Sequence, residues 1–176
     1  MGSNKLLDKK IITQPTAEPV TLEEVKLYMN VDFTEKDNLI NSLISAARQL
    51  LEEKFDIGIV EKQLQVIINN SAGGFALTGP PIGDVAGEDE NGNVVALTIV
   101  GEYNKYIEAP CDCYLRLTYT SGYPVDQVPE IYKTAIKQQV LWMMEHLGDE
   151  VMQDEISPMA TMSLKPYRRN GTGLFI

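Results

Sequence analysis

The 176-residue chain is short of the residues that most often carry chemistry, with one His, two Cys and one Trp. A single imidazole leaves any Ser–His or Cys–His mechanism resting on His146, and no Ser stands in a Gly-x-Ser-x-Gly elbow. Cys111 and Cys113 make half of a structural zinc set at most, because such sites take four ligands, usually as two Cys/His pairs. They are expected to be reduced, structural thiols. The carboxylates match no calcium-loop array. Ala72-Gly73-Gly74 and Gly79-Pro80-Pro81 lack the Gly-Lys-Ser/Thr that completes a phosphate loop. No apolar run approaches the ~20 residues of a membrane span, and the first ten residues hold no secretory apolar core. Basic residues are outnumbered, 15 Lys+Arg against 25 Asp+Glu, for a net charge of −10. That balance argues against binding driven by phosphate neutralisation. The expectation is a protein made in the cytoplasm that needs no cofactor, metal or membrane and is not an enzyme.

What is present is an ordinary globular composition, 44% apolar and 23% charged, in a chain long enough to bury roughly 70% of its unfolded surface. Residues 1–19 read as an arm, since Pro15 and Pro19 discourage helix before them. Thr21 and Glu24 form a capping box for a helix over 22–29. Thr34 is the expected cap of a longer helix over 35–55, whose Leu39, Ile40, Leu43, Ile44, Ala47, Leu50, Leu51 and Phe55 make one apolar stripe. Gly58 stands where a left-handed residue commonly ends a helix. The period then changes to two over Lys62–Ile68 and again over Cys113–Thr120. Asp89-Glu90-Asn91-Gly92-Asn93 marks a hairpin turn, followed by strands over 94–100 and 103–108. The segment 71–83 is expected to hold no regular element. Pro129 opens a third helix to Leu147, with Ile136, Val140 and Trp142 facing the core, and Gly148 ends it. Residues 149–176 read as an extended tail.

The predicted fold is α+β and predominantly helical: a three-helix core, a small antiparallel β insert, and extended N- and C-terminal arms. Its parts are an arm (1–19), a domain over 20–148 with helices 22–29, 35–55 and 129–147 and the insert over 61–120, and a tail (149–176). Charge is uneven, and residues 61–125 hold −5 of the −10. Asp84, Glu88, Asp89 and Glu90 cluster in a turn-rich stretch where solvation accounts for them.

Taken in order, these pieces resemble a known family. "PVTLEEVKLYMNVDFTEKDNLINSLISAARQLLEEKF" (19–55), with Ile44, Ala46, Ala47 and Arg48 in an I-x-A-A-R run, is similar to the opening of the head-tail connector, or adaptor, proteins of tailed phages. "GPPIGDVAGEDENGNV" (79–94), "LRLTYTSGYPVDQVPEIYKTAIKQQVLWMMEH" (115–146) and "LKPYRR" (164–169) resemble later parts of the family's longer members. The resemblance implies a structural virion protein at the head-tail interface, assembled as a ring, commonly dodecameric. Its implied partners are further copies of itself, the portal protein, the tail or a further connector, and DNA that passes through the lumen without specific binding. Acidic lumen walls would repel that DNA. Leu164, Tyr167, Arg168, Arg169 and Phe175 are the expected docking residues for portal or tail, and truncation at Ser157 is expected to leave a folded subunit that fails to dock. Two other readings stand beside it. A small intracellular interaction module without catalysis would show itself as a stable monomer or dimer. A carboxylate hydrolase would need Glu108, Asp112 and His146 to converge in one pocket.

Overall fold

A computed structural model describes residues 5–70, 74–109, 113–149 and 155–168. In chain order these form β1 (Lys5–Thr13), α1 (Leu22–Met29), α2 (Asp37–Phe55), β2 (Lys62–Asn70), β3 (Phe75–Ala76), β4 (Ile82–Glu88), β5 (Thr98–Val100), β6 (Tyr106–Glu108), β7 (Cys113–Ser121), α3 (Glu130–Glu145) and α4 (Pro158–Leu164). Short 3-10 turns cover Val125–Gln127 and Lys165–Tyr167.

The helical half follows from its stripes. Thr21 accepts from the Glu24 amide at 3.2 Å, and Glu24 accepts from the Thr21 amide at 2.7 Å, which satisfies two free donors at the start of α1. Ile40, Ile44, Ala47, Leu51 and Phe55 recur at helical spacing along α2 and bury against Val25 of α1 and Tyr132, Ala135, Ile136 and Val140 of α3. Ala160 and Leu164 of α4 complete this core, both fully buried. Lys36, not Thr34, occupies the cap position of α2, and no side chain bonds there. Left-handed residues do end both helices, but they are Asn30 and Asp56, with φ of 56° and 52°.

The β half has its own core. Four strands are ordered β1-β2-β7-β4, with antiparallel pairs throughout, and a second sheet is ordered β3-β6-β5. The pairs Leu64–Tyr119, Val66–Leu117 and Ile68–Leu115 stand opposite one another, and all six side chains are buried. They cluster with Phe75 and Ile107 of the smaller sheet and with Leu77. Gly92, at φ +83°, lets the Asp89–Asn93 turn close, and Glu88 pairs with Val94 beyond it.

The fold is therefore mixed α+β with four helices and two antiparallel sheets among the described residues, not the predominantly helical three-helix core that was expected. Three stretches account for the difference. The expected arm supplies β1, whose alternation is broken by bulges at Leu6/Asp8 and Ile11/Thr13 and which forms only because β2 offers it an edge. The expected tail contains α4, too short to show a period. The stretch 71–83 contains β3 and the start of β4 despite its Pro and Gly.

A seam of backbone bonds joins the halves. Gly58 N donates to Pro80 O (2.7 Å), Gly122 N to Pro81 O (3.0 Å), Glu61 N to Tyr123 O (2.8 Å) and Tyr123 N to Ile59 O (3.3 Å), while Ser121 Oγ donates to Gly79 O. A Cβ on Gly58 would lie 2.6 Å from Gly122 N and 2.7 Å from Gly79 O. Glycine is required at 58 by this close approach, not by helix termination.

Candidate docking cleft

Tyrosine suits a surface that must be apolar and hydrogen-bonding at once, and four of the eight tyrosines meet in one cleft beside the seam. Tyr123 follows the end of β7, Tyr132 projects from the first turn of α3, Tyr103 comes from the β5–β6 loop, and Tyr167 from the turn after α4. Pro80, Pro129 and Pro166 line the same cavity of about 460 Å³, with Arg168 at its wall. The Tyr132 ring lies 5.9 Å from that of Tyr123 and 5.6 Å, edge-on, from that of Tyr167. The Tyr123 hydroxyl donates to that of Tyr103 at 3.4 Å. Burial pushes the Tyr103 phenol up to about 12 and raises those of Tyr123 and Tyr132 as well, so all three are neutral donors at ordinary pH. Such a cleft can hold an extended, proline- or aromatic-bearing segment of a partner.

Of the residues expected to dock, Tyr167 and Arg168 line this cleft and are exposed. Leu164 is fully buried in the helical core, so it holds the subunit together and presents nothing to a partner. Arg169 and Phe175 lie outside the described residues. Tyr103 and Tyr132 carried no sequence signal as site residues, because they come from a loop and from a helix face that alone reads as core.

Arg48 has a different task. Its guanidinium bonds Glu18 through Nε (2.7 Å) and Nη2 (3.0 Å) and Glu52 through Nη1 (2.8 Å). Glu52 in turn accepts from Lys62 Nζ (2.6 Å) and from the Ile59 amide (2.9 Å), and Glu18 accepts from Ser45 (2.8 Å). Burial alone would lower the Arg48 pKa, but these carboxylates raise it above its ordinary value. Lys62 is lowered, because burial outweighs its attraction to Glu52. The I-x-A-A-R run thus marks a buried ionic knot tying the entry segment, α2 and the start of β2.

His146 and Asp89 hold local structure. His146 caps α3: its Nδ1 lies 2.8 Å from the Trp142 carbonyl and its ring stacks on Trp142 at 4.0 Å. Asp89 accepts from the amides of Asn91 and Asn93, both at 2.8 Å, and its pKa is held below the usual carboxylate range chiefly by Asn93. Glu108 is exposed on β6, Cys113 begins β7, and Cys111 and Asp112 lie outside the described residues. Among the described residues no three His, Cys, Asp or Glu are grouped to hold a metal, and no helix is long and apolar enough to cross a membrane.

Residues 19–73 match the family described as phage gp6-like head-tail connector protein. The segment matched to this family runs from Pro19 through α1, α2 and β2 and holds Arg48, Glu52 and Lys62 of the ionic knot. Two solved structures share the fold of the whole chain. One chain of a "Virion of native gene transfer agent (GTA) particle" superposes with a TM-score of 0.74 at 16% identity, covering 97% of this chain and 99% of that one. One chain of a "Neck of empty GTA particle computed with C6 symmetry" gives 0.75 at 15% identity with the same coverage. The superposition therefore extends well past the connector segment, through both sheets. No curated protein matches the sequence.

Proposed function

We propose that this chain is a structural connector of a phage or phage-like particle: a ring of identical subunits between portal and tail, through which DNA passes. The observation that carries this reading is a connector-family segment within a fold that follows a chain of a GTA neck over 97% of the sequence. That neck was computed with C6 symmetry, which supports a ring whose subunit number is a multiple of six; the dodecamer implied by the family resemblance is one such number. The place of action is the head-tail interface of the virion. The tyrosine cleft, with Tyr167 and Arg168 at its wall, is the docking surface for the portal or the next ring. The chain is a scaffold and not an enzyme; its ionic knot and capping His146 serve the fold. The charge of −10 supports a lumen that DNA slides past, since like charges keep phosphates from sticking.

Electron microscopy of the chain mixed with its portal tests the proposal. A ring of added density on the portal, lost with Y167A/R168A while the variant stays folded, is the expected result. A chain that stays monomeric or dimeric with every portal preparation would instead make it an interaction module. A neutral or basic lumen in the assembled ring would remove the electrostatic explanation of the charge.

A further inference from the structure

The open polar groups of the tyrosine cleft are donors. Among the described residues, the Tyr167 hydroxyl and the Arg168 guanidinium make no hydrogen bond or ion pair, and both residues stand exposed at the cleft wall. The Tyr103 and Tyr123 hydroxyls, by contrast, bond each other. Of the arginines described, Arg48 and Arg116 are paired with carboxylates and Arg168 is not. No Asp or Glu lines the cavity, although the chain carries a net charge of −10. Glu130 follows the lining Pro129 in sequence but is tied to Lys133 at 2.8 Å, and Glu102, before Tyr103, lies off the lining. An uncompensated cation thus stands over tyrosine and proline faces.

An occupant that fits such a cleft supplies acceptors, a negative charge and apolar faces. It also brings few donors, because a buried donor left unpaired costs about 1–3 kcal/mol. Proline meets these needs: it has a carbonyl but no N–H, and it is already held extended, so little freedom is lost on docking. Aromatic-lined grooves bind segments of this kind. We propose that the cleft recognises an extended proline-bearing segment of another protein, with a carboxylate directly beside the proline. The carboxylate takes charge-assisted bonds from Arg168, the Tyr167 hydroxyl donates to a carbonyl of the segment, and the proline rings lie against the tyrosines. The assignment rests on the docking reading above and adds the chemistry of what docks. A second copy does not supply the segment. Only Pro19 and Pro129 of the nine prolines have an acidic neighbour. Glu18 is held by Arg48 and Ser45 in the ionic knot, and Glu130 lies in the first turn of α3, bonded to Lys133.

Labelled peptides titrated against the full chain, with binding read by fluorescence anisotropy, test it. Pro-Pro-Glu-Pro-Pro should bind, and its Gln counterpart and Gly-Gly-Glu-Gly-Gly should each bind roughly tenfold more weakly. Arg168 is exposed, so Arg168→Glu leaves the core intact; it should reverse the preference, taking Pro-Pro-Lys-Pro-Pro over the Glu peptide. A merely structural role for Arg168 would not produce that reversal. Tyr167→Phe should weaken the Glu and Gln peptides by the same factor. Equal binding of the Glu and Gln peptides, a glycine peptide as tight as the proline one, an unreversed preference in Arg168→Glu, or no binding at all would each overturn the proposal. Self-association of the wild-type chain that the Glu peptide competes apart would make a second copy the occupant and overturn it too. If the peptides discriminate as expected while no ring forms on the portal, the connector reading fails and the cleft chemistry stands. If the ring forms unchanged with folded Arg168→Glu, the connector reading stands and the cleft assignment fails.

Discussion

Glu52 touches more of the fold than any other buried carboxylate described: Arg48, Lys62 and the amides of Ile59 and Val60 all point at it. Replacing Glu52 by Ala leaves Lys62 and the two amides without their acceptor and Arg48 with Glu18 alone, and should cost about 3–5 kcal/mol in denaturant unfolding. Lys62→Met should cost under about 1.5 kcal/mol, because Glu52 keeps Arg48 and two amides while the desolvation of the ammonium disappears. The two variants also separate by pH. A lysine lowered from 10.5 binds its proton more weakly folded than unfolded, so stability rises as pH climbs through the folded value toward 10.5, and Lys62→Met should lose that rise. Gly58→Ala should cost about 1–3 kcal/mol, toward the upper end because the clashing atoms are backbone. A Gly58 variant as stable as wild type would mean the seam yields. The family-like Arg48 was legible in the sequence as a motif residue. Its role was not, since Glu18 and Lys62 are distant in the chain.

Among the elements, α4 changes the meaning of a truncation. Removing residues 158–176 takes Ala160 and Leu164 out of the helical core, and loss of a buried leucine alone costs about 2–5 kcal/mol. Such a chain should melt well below wild type, so its failure to dock would say nothing about docking. Removing only 169–176 leaves every described core residue in place, and its melting temperature should match wild type within a degree or two. If the short deletion instead unfolds the protein, the tail belongs to the fold. The longer helices and the strands with clean alternation were legible, since a period of 3.6 or 2 over eight or more residues is a local signal. β1 and α4 were not: one has bulges and an exposed apolar side, and the other spans only seven residues.

At the scale of the whole molecule, the tyrosine cleft sits where the helical core, the seam and the C-terminal turn meet, and its protonation is set by that assembly. Phenols raised in the folded state stay protonated after the unfolded chain has ionised. Stability should therefore be full below the ordinary tyrosine value of 10.0 and fall as pH rises toward 12. Tyr123→Phe should flatten that decline in thermal unfolding followed across the range, and an unchanged slope would remove Tyr123 as a contributor. The same variant leaves the ring contact with Tyr132 and so separates packing from ionisation.

By itself the sequence determined the capped α1, the apolar stripe of α2, the alternating β2 and β7, the order of these pieces, and a net charge unsuited to phosphate binding. Each is a property of neighbouring residues or of composition. Only the tertiary structure decided that the insert is two sheets, that residues 5–13 close one of them, that Leu164 is core and not contact, and that four tyrosines share a cleft. Those depend on residues tens to more than a hundred positions apart coming together, and a local period carries no trace of which distant partner an edge, a buried charge or an aromatic ring will find.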